Sequence, residues 1–431
     1  MPAVASSPIT PVLRQVVDLI ADGESMSAPQ VASLVQVLAA VPDPRKRRGV
    51  RHRLVAVLVM SVCAVLGGMR SFVAIAQWAR DSIESCPQLC DLLGGISRAP
   101  AESTIRRTLQ RLDAAELDRL LGVWAQTRTA TAATTTTAAT TTTAATATTG
   151  AVAGQSGLRA VAVDGKTLRG SGSNTLEGNA AGQRHLLAAF DHVHGVVLGQ
   201  VDVDAKTNEV PTLPTLLDRL DLTGMVVTAD ALHAVRSHAQ YLHSRGADYI
   251  LTVKANQPAL HAQLTALPWA QIPVAYQGKN TGHGRRETRT LKKTAVADAA
   301  GPRGQGLLFP HAQQAIRITR SRTTRSGGKA KRSTETAYAI TSLRAIDATG
   351  EHLAQAVRGH WTVENRLHYV RDVTCDEDRS QIRTGNGPQV MASLRNLAVA
   401  ILRLTGHTNI AAGLRHHAHN PTRPLNAILA S

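Results

Sequence analysis

Three acidic residues, Asp164, Asp230 and Glu364, stand where the chain could use them for chemistry. Cutting a phosphodiester with water, or joining one with a 3′-hydroxyl, calls for two divalent cations roughly 3.5–4 Å apart, held by a few carboxylates around an open site. Asp164 ends the alternating run LRAVAVD and Asp230 ends the apolar run MVVTAD. A charge in such surroundings is unfavourable unless it lies at the rim of a sheet or holds a metal. If the two strands pair centrally, both carboxylates leave the same rim. Strand-end aspartates also serve as turn formers, so the pair alone does not decide between the two roles.

Glu364 lies in HWTVENRLH, with His360 four residues before it, His368 four after and Arg371 seven after. Helical spacing places all four on one stripe, a carboxylate flanked by groups that contact phosphate. A zinc site built from His360, Glu364 and His368 would span about 12 Å along the axis, too far for one tetrahedral ion. Plain surface ion pairing is the remaining alternative. Two other acidic groups compete: Asp202 and Asp204 alternate on a strand, and Asp376, Glu377 and Asp378 follow the helix. A solvated strand face and the bracing of a turn are their plainer roles.

The elements that must position these residues belong to a chain of 431 residues, a length that predicts two or three domains. Hydrophobic residues make up 43%, which excludes a wholly disordered chain, while aromatics at 3% leave the core to aliphatic side chains and Ala. Lys and Arg outnumber Asp and Glu by 48 to 31, a net charge of +17 that favours a polyanionic partner. Cys63, Cys86, Cys90 and Cys375 lack the paired spacing of a zinc ribbon or disulfide framework, which fits a reducing cytoplasm. The N-terminus carries no secretory pattern. The apolar run from Leu54 to Met69 falls short of the roughly 20 residues of a membrane span and is read as a buried helix.

Residues 1–40 are weakly amphipathic, after which VPDPRKRRGVRHR gathers Arg45, Lys46, Arg47, Arg48, Arg51 and Arg53, either a solvated run or a phosphate clamp. ESTIRRTLQRL predicts a helix with Ile105, Leu109 and Leu112 on one face, Arg106, Arg107 and Arg111 elsewhere, and Ser103 or Thr104 as N-cap. Asp113 and Glu116 open a further helix with capping-box spacing. The pair reads as a helix-turn-helix or as ordinary packing helices. From Thr129 to Thr149 every residue is Ala or Thr, which predicts a linker. Three strands follow, then a helix, a strand ending at Asp230, a helix closed by Gly246 and another strand. Residues 271–345 are basic and strand-like, and the Glu364 helix and a last apolar helix precede a basic tail.

The segments DPRKRRGVRHRL, STIRRTLQRLD, VDGKTLRGS, AKTNEVPTLPTLLDRLDLTGMVVTADALH, ILTVKANQP, GHGRRETR and RGHWTVENRLHYVRDVTCDEDRSQIR resemble those of bacterial insertion-sequence transposases of the DDE type, in the ISAs-type, H-repeat-associated group. Matching stretches run from about residue 40 to 405. The resemblance implies an α/β fold with an RNase H-like core, a mixed five-stranded sheet with helices. It implies a small helical domain in front and a β-strand insertion between the second Asp and the Glu. The expected domains are a DNA-binding helical unit at 1–126, a linker at 127–156, core at 157–270, insertion at 271–345, core at 346–405 and tail at 406–431. By motif position Asp164, Asp230 and Glu364 are the catalytic acids and hold two Mg²⁺ or Mn²⁺ ions. The activity implied is cleavage at element ends and transfer of the 3′-hydroxyl strand to target DNA, by a homodimer on double-stranded DNA in a bacterial cytoplasm, with no membrane partner. A nuclease on the same core and a non-catalytic DNA-binding relic are the competing readings.

Arg45, Lys46, Arg47, Arg48, Arg106 and Arg107 are the expected contacts to the terminal inverted repeats. Lys166, Arg169, Lys206, Lys254, Arg285 and Arg286 are expected to hold the backbone, with Trp361 stacking on a base and His360, His368 and Arg371 touching phosphate. Related transposases often carry a Tyr and an Arg before the Glu and a Lys after it; Val357, His360 and Arg371 occupy those spacings here.

Overall fold

The computed structural model describes residues 33–48, 50–93, 95, 97–142, 158–172, 182–204, 208–282, 285–296, 307, 309–326 and 329–431. Among the described residues six helices come first: α1 (Leu34–Ala39), α2 (Leu54–Leu66), α3 (Phe72–Ser85), α4 (Pro87–Leu92), α5 (Glu102–Arg111) and α6 (Ala114–Thr142). Every residue of α2 is buried, because α1, α3 and three C-terminal helices surround it. The apolar run is thus an interior helix, and no helix among the described residues is long and apolar enough to cross a membrane. The four cysteines form no disulfide with one another.

The sheet is built from β1 (Ala160–Leu168), β2 (Arg184–Asp191), β3 (Val197–Val203), β4 (Val226–Ala229), β5 (Asp248–Val253), β6 (Val274–Gly282), β7 (Arg285–Ala295), β8 (Gln314–Ser326) and β9 (Lys329–Thr341). Helices α7 (Thr212–Leu217) and α8 (Arg236–Ser244) fall on either side of β4 in the chain, and α9 (Pro258–Thr265) follows β5. This is the predicted order of three strands, helix, strand, helix, strand. Strand β1 pairs antiparallel with β2 and parallel with β4, which pairs parallel with β5. Strand β4 is wholly buried, as expected of a parallel strand covered on both faces.

The five-stranded expectation is corrected: one sheet of nine strands runs β3-β2-β1-β4-β5-β9-β8-β7-β6. The basic insertion does not form a separate layer. Its strand β9 pairs antiparallel with β5, so the edge of β5 is covered and the sheet continues through β8, β7 and β6. The chain then forms α10 (Gly350–Val363), α11 (Gly387–Leu404), α12 (Ile410–Ala418) and α13 (Thr422–Leu429).

Asp113 caps α6 as predicted, its Oδ1 accepting from the Ala115 and Glu116 amides at 3.0 Å. The predicted Ser103 or Thr104 cap is not used; α5 starts at Glu102 after Ala101, which makes no side-chain cap bond. Helix α6 packs on β3 and α11 with Leu117, Leu121, Trp124 and Ala125 buried, as packing helices do, while Ala115, Arg119 and Val123 stay exposed on its outer face. The front helices and the sheet share one apolar core. The Ala/Thr tract departs from the linker reading as far as Thr142, for α6 runs on into it. Once the helix is anchored by its buried face, each further residue adds one bond at little cost, and Thr127 and Thr131 return their hydroxyls to the carbonyls four residues back at 2.9 Å. Residues 143–157 lie outside the described residues, as do residues 1–32.

Gly122 sets how closely α6 approaches the sheet: a Cβ there would lie 2.7 Å from the Leu198 carbonyl oxygen of β3. Gly122→Ala should therefore lower stability by about 1–3 kcal/mol in a thermal or denaturant melt. Helix propensity alone predicts the opposite sign, a gain of about 1 kcal/mol.

Candidate active site

The parallel register sets Val163 opposite Ala229, so Asp164 and Asp230 follow at neighbouring positions where β4 ends. Asp230 accepts from the Leu232 amide at 2.9 Å and opens a short 3-10 turn, Ala231–His233. Helix α10 packs across β1 and β4 and ends at Val363. Glu364 then begins a π-turn, Glu364–His368, and a second follows at Val370–Thr374. The wider turn carries His368 Nδ1 to 3.7 Å from Asp164 Oδ2 and 3.5 Å from Glu364 Oε2. One ligand atom from each of Asp164, Glu364 and His368 lies within 4.8 Å of the others, while the Glu364 side chain stays 71% exposed on the open side.

Burial first, then the charge of Glu364 and those of Glu209 and Asp230, push the Asp164 carboxyl up to about 7 against the opposing Gly165 amide. Burial, then Arg371 and Lys166, bring His368 down to about 3, so its ring is neutral, and its Nε2 is buried without a hydrogen-bond partner among the described residues. Crowded carboxylate oxygens beside a neutral imidazole suit Mg²⁺ or Mn²⁺, whose charge would relieve their repulsion. Asp164, Glu364 and His368 present the donors that converge, while Asp230 follows on the adjacent strand and is not one of that group.

Several expected phosphate contacts are interior braces instead. His360 does not share the Glu364 stripe's exposure: its Nδ1 lies 3.4 Å from Thr228 Oγ1 of β4, and burial holds the ring neutral, down to about 4. Arg371 is 1% exposed and binds Glu377, which also accepts from Arg395, all at 2.8 Å. Lys166 is buried against Asp372 at 2.5 Å, tying β1 to the second π-turn. The π-turns break the 3.6-residue spacing on which the stripe rests. His368 faces the acids. Lys166, Arg371 and His360 are thus engaged inside the protein. The acidic segment 376–378 is a brace as well, with Glu377 buried and Asp378 3.7 Å from Arg169, while Asp202 pairs with Arg184.

Other expected contacts are accessible. Lys46, Arg47, Arg48, Arg107, Lys254, Arg285 and Arg286 are exposed, as is most of Arg169. Trp361 is 36% exposed, with the Arg289 guanidinium 5.7 Å above its ring. Arg45 instead folds onto Asp43 at 2.7 Å and the His52 carbonyl at 2.9 Å, and Arg106 pairs with Glu102 at 2.9 Å. Lys206 lies outside the described residues.

Sequence reasoning missed Glu209. It accepts from His185 Nε2 at 2.8 Å and His233 Nε2 at 3.2 Å. Burial raises its carboxyl, but the two histidines outweigh that and bring it down to about 2. Gly165 makes the room, since a Cβ there would lie 2.2 Å from Glu209 Oε1. The signal was the Gly directly after Asp164 and the His three residues after Asp230.

A family model described as a transposase DDE domain matches residues 155–401, and one described as DDE_Tnp_1-associated matches residues 35–125. The chain belongs to the DDE transposase family. "Putative transposase YncI" of Escherichia coli O157:H7 is 29% identical over 379 residues, 86% of this chain and 88% of that protein. "H repeat-associated putative transposase YhhI" of Escherichia coli K12 is 27% identical over 395 residues, 90% of this chain and 94% of that protein. Within the family this is a bacterial DDE transposase of the H-repeat-associated group. A solved piggyBac transposase synaptic complex with hairpin DNA aligns at TM-score 0.36 and 11% identity, over 98% of this chain and 78% of that one.

The raised Asp164 carboxyl gives a pH-dependent prediction. Its folded value, about 7, lies well above the ordinary Asp range, so the metal-free fold holds that proton more tightly than the unfolded chain. The stability it contributes is full below pH 4 and is lost as pH rises to about 7. Mn²⁺ should therefore raise the melting temperature more at pH 8 than at pH 5. Asp164→Asn should raise the metal-free value at pH 8 by a few degrees and remove the Mn²⁺ shift.

Proposed function

We propose that this transposase cleaves DNA at the ends of its mobile element and transfers the 3′-hydroxyl ends to target DNA. The observation that carries the reading is the convergence of Asp164, Glu364 and His368, with Asp230 on the adjacent strand. The strand order β3-β2-β1-β4-β5, with β4 and β5 parallel to β1, supports an RNase H-like core beneath the added strands.

Two Mg²⁺ or Mn²⁺ ions held by Asp164, Asp230 and Glu364 would supply an activated attacking oxygen and charge neutralisation at the leaving oxygen. The chain's own residues prepare that site. Lys166 and Asp372 fix the Glu364 turn to β1, and His185 and His233 hold Glu209 ionised beside Asp164. The exposed Lys46, Arg47, Arg48, Arg107, Arg169, Lys254, Arg285 and Arg286 bind the phosphate backbone of terminal repeats and target, and Trp361 offers a ring to a base. Chemistry at two element ends calls for a homodimer assembled on double-stranded DNA, in the bacterial nucleoid.

Purified protein incubated with Mn²⁺ and DNA carrying the flanking element ends should give nicks at the ends and joined products. Asp164→Asn and Glu364→Gln should each lower cleavage at least about 1,000-fold, in line with the loss of a main electrostatic group, and leave salt-sensitive DNA binding intact. Cuts without joining would make the chain a nuclease, and binding without cuts a relic.

A further inference from the structure

A cavity of about 1270 Å³ opens beside the Glu364 turn, and Asn365 on its wall places it one residue from the active-site carboxylate. The other walls come from the loop after α2, the turn between β2 and β3, the two π-turns, the end of α11 and α12. Five arginines and no Asp or Glu are among the described residues that line it. Arg70 and Arg395 are answered by Asp376 at 3.3 Å and Glu377 at 2.8 Å.

The other three have no carboxylate partner among the described residues. Arg366 donates to the His192 and His194 carbonyls at 3.2 and 3.4 Å, and Arg403 donates to the Gly195 and Arg366 carbonyls. Arg415 is exposed and makes no ion pair among the described residues. Half-buried guanidiniums side by side without a counter-ion are unfavourable, and an anion entering from outside relieves them. The same walls expose an aromatic ring and two aliphatic side chains: Tyr369 is 58% exposed, Val373 56% and Val193 65%. Cationic forks beside an exposed ring match the two halves of a nucleotide, phosphate and base.

We propose that this cavity binds a short single-stranded segment of DNA, with phosphates on Arg366, Arg403 and Arg415 and a base stacked on Tyr369. The inference rests on the DNA-cleaving reading above and adds where the unpaired strand lies. A single strand is specified because only an unstacked base offers its face to the ring. The position beside Glu364 makes it the strand entering or leaving the reaction centre.

The test is fluorescence anisotropy of the full chain with a short fluorescein-labelled oligo-dT and with a blunt duplex of equal length. Tyr369→Ala should weaken oligo-dT binding about 5- to 150-fold, the loss of one stacked base, and change duplex binding less than about two-fold. Tyr369→Phe should bind as the wild type does. Arg415→Ala should reduce the slope of log affinity against log salt for oligo-dT by about 0.7, one phosphate contact. Unchanged oligo-dT binding by Tyr369→Ala, or equal losses on both probes, overturns the proposal. Wild-type cleavage of element ends without the Tyr369 effect sinks the cavity alone; the Tyr369 effect in a wild type that never cleaves sinks the DNA-cleaving reading and leaves the cavity standing.

Discussion

Repulsion among carboxylates at the β1–β4 rim is the constraint around which the rest is arranged. Parallel pairing of β1 with β4 brings Asp164 and Asp230 to adjacent positions, and α10 delivers Glu364 across them. Burial first, and the neighbouring charge of Glu364 second, push the Asp164 carboxyl up to about 7 at this rim. Such a site persists only if the elements bearing it cannot move apart. Lys166 grips Asp372, and Glu377 takes two buried guanidiniums, Arg371 and Arg395, so the segment after Glu364 is tied to β1 and to α11. A buried carboxylate of this kind is tolerable because both guanidiniums hydrogen-bond it directly.

The front helices serve the same end. Helix α6 lies against β3 and α11, and between them Asp118 accepts from Ser393, Gln389 and Gln200 at 2.5, 2.9 and 3.3 Å. Burial pushes that carboxyl up to about 6, even with those donors present. A polar junction inside an otherwise apolar core specifies one register between helix and sheet. The exposed cations of residues 46–48 lie in the chain between Val41 and Leu54, both buried in the same apolar core as Val163 of β1 and Ala229 of β4.

The acids were legible because apolar runs ended on Asp164 and Asp230, and because Glu364 sat in a helix with flanking histidines. The succession of strands and helices along the chain through β5 followed from the same alternation and from Pro and Gly at helix ends. Ion pairs were not legible. Arg371 and Lys166 look like surface cations until the partners Glu377 and Asp372 are brought to them by turns that are not α-helical. Glu209 is a lone acid in its segment, and its histidine partners are 24 residues away on either side. The nine-stranded sheet was hidden because strand-like composition says which segments extend but not which edge they join. The helical part of the Ala/Thr tract depends on the anchored helix before it, which local composition does not report.

The central claim is that Asp164, Asp230 and Glu364 share their cations. Anomalous diffraction from crystals soaked in MnCl₂ tests this directly. The account predicts anomalous peaks bounded by all three carboxylates and their loss in Asp164→Asn crystals. Peaks that leave Asp230 or Glu364 out of the coordination, or that lie away from the β1–β4 rim, would contradict it.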